Sequence, residues 1–496
     1  MSRDFMRRLS LLAVLVALPL AAQRIDGLPH AAAVAELAPA TLGELARAAV
    51  MPAGGEHDEK TRPAPAPRRT HANAIAAELV PAPEADISAP PARGFRASFD
   101  SPALSPAAGY VTPPDASGAV GPRHVVGAFN NSLMVQDRSG AQLALVTMPQ
   151  FWHDPAFPDT TLYDPRVLYD AANDRWALTM LTDTNGRAGV LLFAVSASGD
   201  PSGAWRRFRV SGSTNPDVQI DFTRMAMTAD QIAITANEYI GDAPSGADVF
   251  TIAKSAAYGS GTVTVAKTYA PALFDLTPVA SADATLRILT QDYLDVVYYE
   301  LAAGRLAAET TYSAPMIWGA GPWGCPELGK SNLIQCGDST LQYALFRDGT
   351  LWVVQSANNY GRGEIVIWKI SAAGAKAFEI HELHRDYGYP SLAVNRYGEA
   401  LIGFSSCDAS IYPSAAYRYI DSRGNVSAPA AAKDGEEYYT FYRYGDYSTT
   451  VVDPLDDTSF WTLQSYAGPS QLMHSWSTWW SYVQVQPPQR VRAIRH

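Results

Sequence analysis

The sequence predicts an all-β fold, a single β-propeller of about seven four-stranded blades, six and eight being the neighbouring counts, with an N-terminal extension. Three observations lead there. A unit of strand, polar turn and strand recurs as PRVLYDAANDRWALTML from Pro165, RMAMTADQIAITAN from Arg224, LQYALFRDGTLWVVQS from Leu341, SLAVNRYGEALIGFSS from Ser391 and STTVVDPLDDTSFWTLQS from Ser448. Weaker copies, GAVGPRHVVGAFN from Gly118 and TPVASADATLRILTQ from Thr277, bring the total to about seven at intervals of roughly 50–60 residues, a propeller-type period. Most units then continue into a second pair of strands, such as 189–197 with 205–210 and 364–370 with 377–383. No amphipathic helix of about 10 or more residues intervenes, as an α/β fold would require.

Residues 1–23 carry Arg3, Arg7 and Arg8 ahead of an apolar run from Leu9 to Ala22 that ends in small residues, the pattern of a secretory signal peptide. That run is short for a membrane span, and none of about 20 apolar residues follows. The expected location is therefore secreted or periplasmic, with no transmembrane segment. The 24–94 region is an Ala/Pro-rich arm. A helix is expected over 30–50 from its Ala, Leu and Glu content, despite Pro39, and 51–94 reads as a linker or mobile arm. The propeller domain is expected over 95–496. Its last strand, HSWSTWWSYVQV from His474, is dense in tryptophan and suits a place between blades, with closure expected through pairing to a strand at 95–99.

Cys325 and Cys336 share one loop at a separation that can close a disulfide, which an oxidising compartment favours; Cys407 is left over. The net charge of −11, from 38 Lys+Arg against 49 Asp+Glu, offers no basic face for a nucleic acid or an anionic membrane. A neutral or cationic ligand, a glycan or protein met outside the cell by a monomer, fits it better.

Several segments resemble a family of secreted, mostly bacterial and uncharacterised β-propeller proteins that are likened to sialidase-type (BNR) propellers. They are TPPDASGAVGPRHVV from Thr112, YDPRVLYDAANDRW from Tyr163, DFTRMAMTADQIAITANEY from Asp221, GDSTLQYALFRDGTLW from Gly337, YPSLAVNRYGEALIGFSS from Tyr389 and YGDYSTTVVDPLDDTSFW from Tyr444. The resemblance covers nearly everything after Thr112 and implies the fold and export. It assigns no catalytic residue. The Asp-box signature SxDxGxTW is missing, and DGTLW at Asp348 matches it only superficially.

An aspartate stands just before most of the expected innermost strands: Asp115, Asp164, Asp221, Asp338 and Asp446, for units one, two, three, five and seven. Because all innermost strands would begin at one end of the channel, these carboxylates are expected to crowd one mouth, relieved by Arg166, Arg224 and Arg443. Asp also caps the turn into a strand through its own backbone, which is the structural alternative. Tyr387, Tyr389, Tyr444 and Tyr447 lie near the same positions and offer faces for stacking on sugars or peptides. Ligand recognition at this mouth is the leading functional expectation. A glycoside hydrolase with paired carboxyls is second, drawing on Asp164, Asp221, Asp446 and Glu238. An envelope scaffold is third.

No cofactor is expected. His381 and His384 are three apart and would face opposite sides of a strand, so they are not expected to share a metal. Asp453, Asp456 and Asp457 are the residues that could hold a structural Ca²⁺ in a tight loop, an ordinary acidic turn being the alternative.

Overall fold

The computed structural model describes residues 30–47, 73–81, 87–99, 111–154, 161–184, 187–213, 215, 217–292, 294–315, 323–359, 361–469 and 474–485. The signal-peptide region lies outside the described residues. Nearly all regular structure is strand, with three helices of four or five residues.

Among the described residues seven sheets, antiparallel apart from short parallel pairings in the fourth and fifth, follow one another along the chain, each with an inner strand that opens its main run. These inner strands are Ser117–Val120, Thr161–Asp170, Val218–Met227, Thr277–Pro278, Leu341–Arg347, Asp386–Val394 and Thr449–Val452. Each packs on the next in chain order, and the seventh also packs on the first, where the Gly118 amide donates to Thr449 Oγ1 at 2.9 Å. Sheets arranged radially in this way around a shared bore make an all-β propeller. An additional two-stranded hairpin, Gly324–Cys325 with Ile334–Gln335, precedes the fifth sheet and carries the Cys325–Cys336 disulfide.

The fourth unit, degenerate in sequence, is the irregular one. Its segment splits into Thr277–Pro278, which pairs within its own sheet, and Ala280–Ser281, which joins the fifth sheet in parallel. Pro278 explains the short pairing, because it has no N–H to give to the ladder.

The apolar core lies between the sheets. Trp152, Trp176 and Trp205 fill the space between the first two, and Trp476 and Trp480 of the last strand, His474–Val483, pack against Val120 and Val125 of the first sheet. The last strand also pairs with Ala92–Phe99, which completes the seventh sheet from the other end of the chain.

The described stretches of the N-terminal arm lie along the outer edges of the sheets. Val34–Thr41 is a strand, paired with Ala204–Ser211 of the second sheet, where the sequence suggests helix over 30–50. Pro39 cannot sit in a helix interior, and an open sheet edge supplies the partners that a helix would otherwise need. Only Leu42–Leu45 is helical, held by a capping box in which the Thr41 side chain accepts from the Glu44 amide and the Glu44 carboxylate bonds back. His30–Ala31 pairs with the third sheet, Ile75–Ala76 with the fourth and Glu78–Leu79 with the fifth. Tyr417 of the sixth donates to the Pro90 carbonyl at 2.6 Å.

Candidate functional site

Each inner strand has a left-handed or other positive-φ residue, either a few positions before it or at a bulge within its first half. The residues are Asp115 (φ 44°), Asp164 (58°), Phe222 (58°), Asp275 (49°), Gly337 (132°), Tyr389 (50°) and Gly445 (148°), one per sheet. Aspartate and glycine suit this conformation; phenylalanine and tyrosine do not, and only the surrounding packing can hold them there. Two residues after the turn aspartate stands a hydroxyl in Asp115-Ala-Ser117, Asp221-Phe-Thr223, Asp275-Leu-Thr277, Asp338-Ser-Thr340 and Asp446-Tyr-Ser448. Four of these hydroxyls bond the neighbouring sheet, Ser117 by accepting from the Val167 amide at 3.0 Å and the other three as donors. Thr223 donates to the Asp164 carbonyl (2.9 Å), Thr277 to the Leu341 carbonyl (3.2 Å) and Ser448 to the Tyr389 carbonyl (2.6 Å).

The aspartates are tied in as well. Asn130 Nδ2 donates to Asp115 Oδ2 (2.6 Å) and the Asp446 amide to Asp115 Oδ1 (3.1 Å). Asp164 accepts from Tyr447 Oη at 2.8 Å and from the Thr223 amide at 3.3 Å. Asp221 accepts from the Phe222 amide. Arg443 reaches Asp446 at 2.5 Å. The carboxylates are therefore a buried part of the ring, Asp115 and Asp164 having no exposed surface, and much of their hydrogen bonding holds the turns. Asp275, the member for the fourth sheet, is absent from the sequence reading. It exchanges two hydrogen bonds with Asn237 at 2.7 and 2.8 Å, and the spacing Asp-x-Ser/Thr would have revealed it.

The bore is crossed by aromatic and cationic side chains. Tyr447 of the seventh sheet stacks on Phe222 of the third, ring centroids 5.4 Å apart, so these two sheets meet across the axis. Arg166 caps the Tyr447 ring at 4.3 Å and Arg224 the Phe222 ring at 4.2 Å, a cation on each side of an aromatic pair. Arg224 is buried, and none of its three guanidinium nitrogens has a hydrogen-bond partner among the described residues; Nη1 of Arg166 is in the same condition. Burial pushes the Arg166 guanidinium below its usual range. Burial, reinforced by the neighbouring Asp446 charge, pushes the Asp338 carboxyl up, and burial raises Asp275 against the opposing pull of Arg224. The bore is a mixed one, in which Arg166 and Arg224 stand beside carboxyls of raised proton affinity.

Several residues proposed from sequence sit elsewhere. Tyr387 is fully buried, tilted on Phe404 with centroids 4.5 Å apart, and Tyr444 is packed edge-on against Tyr439 at 5.0 Å; both belong to the core between sheets. Tyr389, by contrast, stays with the ring: it is buried near Asp446, Arg443, Asp338 and Asp115 and donates to the Gln335 carbonyl at 3.0 Å. Glu238 is not with the aspartates. Asn237 pairs across from Asp221 and Glu238 from Ile220, which places Glu238 on the opposite face of the strand. There it meets Lys267 Nζ at 2.8 Å, and Lys267 also holds Asp248 at 2.8 Å. Burial pushes the Asp248 carboxyl far up and its neighbour Glu238 pushes it further.

The acidic turn at 453–457 engages its carboxylates separately. Asp453 takes Arg138 and the Trp461 indole N–H, Asp456 caps the amides of Thr458 and Ser459, and Asp457 receives both Nη atoms of Arg347 at 2.9 and 2.6 Å. They do not converge on one point as Ca²⁺ ligands would. The disulfide joins Cys325 and Cys336 with Cα atoms 5.8 Å apart, and the buried Cys407 thiol lies 3.1 Å from Cys336 Sγ.

No family model matches the chain, and no curated protein matches it. Among solved structures it is similar to the phage phi92 endosialidase (TM-score 0.38, 8% identity, 85% of this chain and 70% of that one). It is similar also to the Trypanosoma rangeli sialidase (0.36, 10%, 79% and 60%) and to the WD40 domain of Toxoplasma gondii coronin (0.37, 9%, 84% and 90%). The chain thus spans 60% of the sialidase's length. The fold described above rests on strand pairing and packing within this chain and takes nothing from these loose likenesses.

Proposed function

We propose that this chain is an exported, monomeric, seven-bladed propeller, closed by the pairing of Ala92–Phe99 with His474–Val483, that recognises an extracellular glycan or protein at the mouth of its bore. The observation that carries the reading is Arg224, a buried guanidinium with no hydrogen-bond partner among the described residues, set beside Asp275 and Asp338. Buried guanidinium donors left without hydrogen-bond acceptors cost about 1–3 kcal/mol, and a ligand that brings acceptors to Arg224 and Arg166 offsets that cost. The carboxyls of Asp275 and Asp338 add acceptors, or donors when protonated, and Phe222 and Tyr447 add apolar ring faces. Donors, acceptors and flat faces together suit a polyhydroxylated ligand such as a sugar.

The test is a glycan-array and calorimetric survey of the protein, followed by Arg224→Met and Arg166→Met on any ligand found. The expected result is a loss of affinity of about tenfold or more, the size of one charge-assisted hydrogen bond of about 1.5–3 kcal/mol. Equal binding by both variants overturns the mouth as the site.

Hydrolysis is the second reading, and one observation favours it. Asp338 has its proton affinity raised by burial and by Asp446, while Asp446 is paired with Arg443. Carboxyls with environments so different can divide acid and base roles. Release of reducing sugar that disappears in Asp338→Asn and Asp446→Asn would move the chain to this class.

A further inference from the structure

On the fifth sheet, away from the bore, Glu364, Glu379 and His381 offer one ligand atom each, all within 4.8 Å of one another. We propose that these three residues form a binding site for a divalent cation of the Zn²⁺ type. Strand pairing brings them together. Val366 lies opposite Glu379 and Ile365 opposite Ile380, so Glu364 and Glu379 share a face, and His381 follows directly after the strand end at Ile380. The sequence offers only His384 as a nearby histidine, and that pair is not expected to share a metal. The right partners are a carboxylate two residues back and another on the neighbouring strand, which no linear spacing displays.

The donor set is selective. Two carboxylate oxygens and one imidazole nitrogen suit zinc, whereas calcium takes oxygen alone. Glu364 is buried, and Asn359 Nδ2 lies 3.4 Å from its Oε2. The two carboxylates offer oxygens within 4.8 Å of each other, a like-charge approach that a cation between them would relieve.

A fourth coordination position has somewhere to point. A cavity of about 460 Å³ is lined by Glu379 and His381 together with Ile380, Arg418 and the arm residues Leu79, Val80 and Pro81. The arm segment is held there by Glu78–Leu79 pairing in parallel with Gly374–Ile380 and by the Val80 amide donating to the Ala377 carbonyl at 2.9 Å. Arg418 is engaged with Glu382 at 3.2 Å. Three protein ligands beside an open space is the arrangement of a zinc ion that keeps a position for water or a small ligand, whereas a structural zinc has four.

Isothermal titration of the full chain with ZnCl₂, MnCl₂ and CaCl₂ tests the assignment. One zinc ion should bind, and His381→Ala and Glu379→Gln should each weaken binding by about tenfold or more. His381 is exposed, so its alanine variant retains the fold; Glu364→Gln is the matching isosteric change at the buried ligand. Cys407→Ser should leave zinc binding unchanged, separating this site from the cysteine cluster. Three results would overturn the proposal: no binding at millimolar zinc, an unaltered isotherm in both His381→Ala and Glu379→Gln, or calcium binding more tightly than zinc.

Discussion

Asp170 shows how much a single buried charge contributes here. Its carboxylate meets Lys254 Nζ at 2.8 Å and accepts from Tyr258 Oη and Asn173 Nδ2, both at 2.9 Å, with the two charged side chains 3% and 8% exposed. Burial alone would raise its pKa, but the hydrogen bond and charge of Lys254 and the two neutral donors hold it below the ordinary value. A depressed folded-state value means the stabilisation is complete above the ordinary carboxylate range and is lost as pH falls through the folded value. Asp170→Asn should therefore cost about 3 kcal/mol near neutrality, because it leaves Lys254 buried without its counter-charge. The variant should also lose less further stability on acidification below about pH 4 than the parent. Urea unfolding at pH 7 and pH 3.5 measures both, and a smaller gap between the two proteins at pH 3.5 is the expected outcome.

At the scale of elements, the turn before each inner strand was largely legible. Five of the aspartates could be read directly; Asp115 and Asp164 take the left-handed conformation themselves, and Asp221, Asp338 and Asp446 adjoin the residue that does. Phe222 and Tyr389 at the same position were not, because their conformation is imposed by neighbours that sequence does not locate. The arm was read least well. Its Ala/Pro composition is that of a linker, yet Leu37, Leu42 and Leu45 are buried, the last two in one cluster with Met148, Phe151 and Trp152, and Gln150 Nε2 bonds the Ala46 carbonyl at 3.0 Å. Deleting residues 30–47 should destabilise the protein by on the order of 5 kcal/mol, the transfer cost of three leucines less what a compact unfolded chain keeps. A urea midpoint unchanged by the deletion would show that the docked arm contributes nothing to stability.

For the whole molecule, the contact between the first and the seventh sheet is the sensitive place. A Cβ on Gly118 would lie 2.4 Å from the ring of the buried Trp480, and 2.9 Å from Leu463. Gly118→Ala must therefore push the last sheet away from the first, at a cost of about 2 kcal/mol. Gly261, with nothing within 4 Å of its added Cβ, serves as the control and should tolerate alanine. Thermal unfolding of the two variants compares them, and equal melting temperatures would mean that the first and last sheets are not locked together.

What the sequence by itself determined is the repeat: strand, polar turn, strand, with an aspartate ahead of five of the seven expected inner strands. Alternation and turn chemistry act over a few residues, so they survive reading in one dimension. The disulfide pair was within the same reach, its cysteines sharing one loop. Only the tertiary structure decided what crosses the bore, where Tyr447 and Phe222, 225 positions apart in the numbering, stack between two arginines. It alone turned Glu238 toward Lys267, set His381 beside Glu364, and converted a proline-rich arm into edge strands. Each of those outcomes depends on which face of a strand meets which neighbour, and on which sheet edge is open. These are properties of register and packing, to which the local pattern contributes but which it cannot specify.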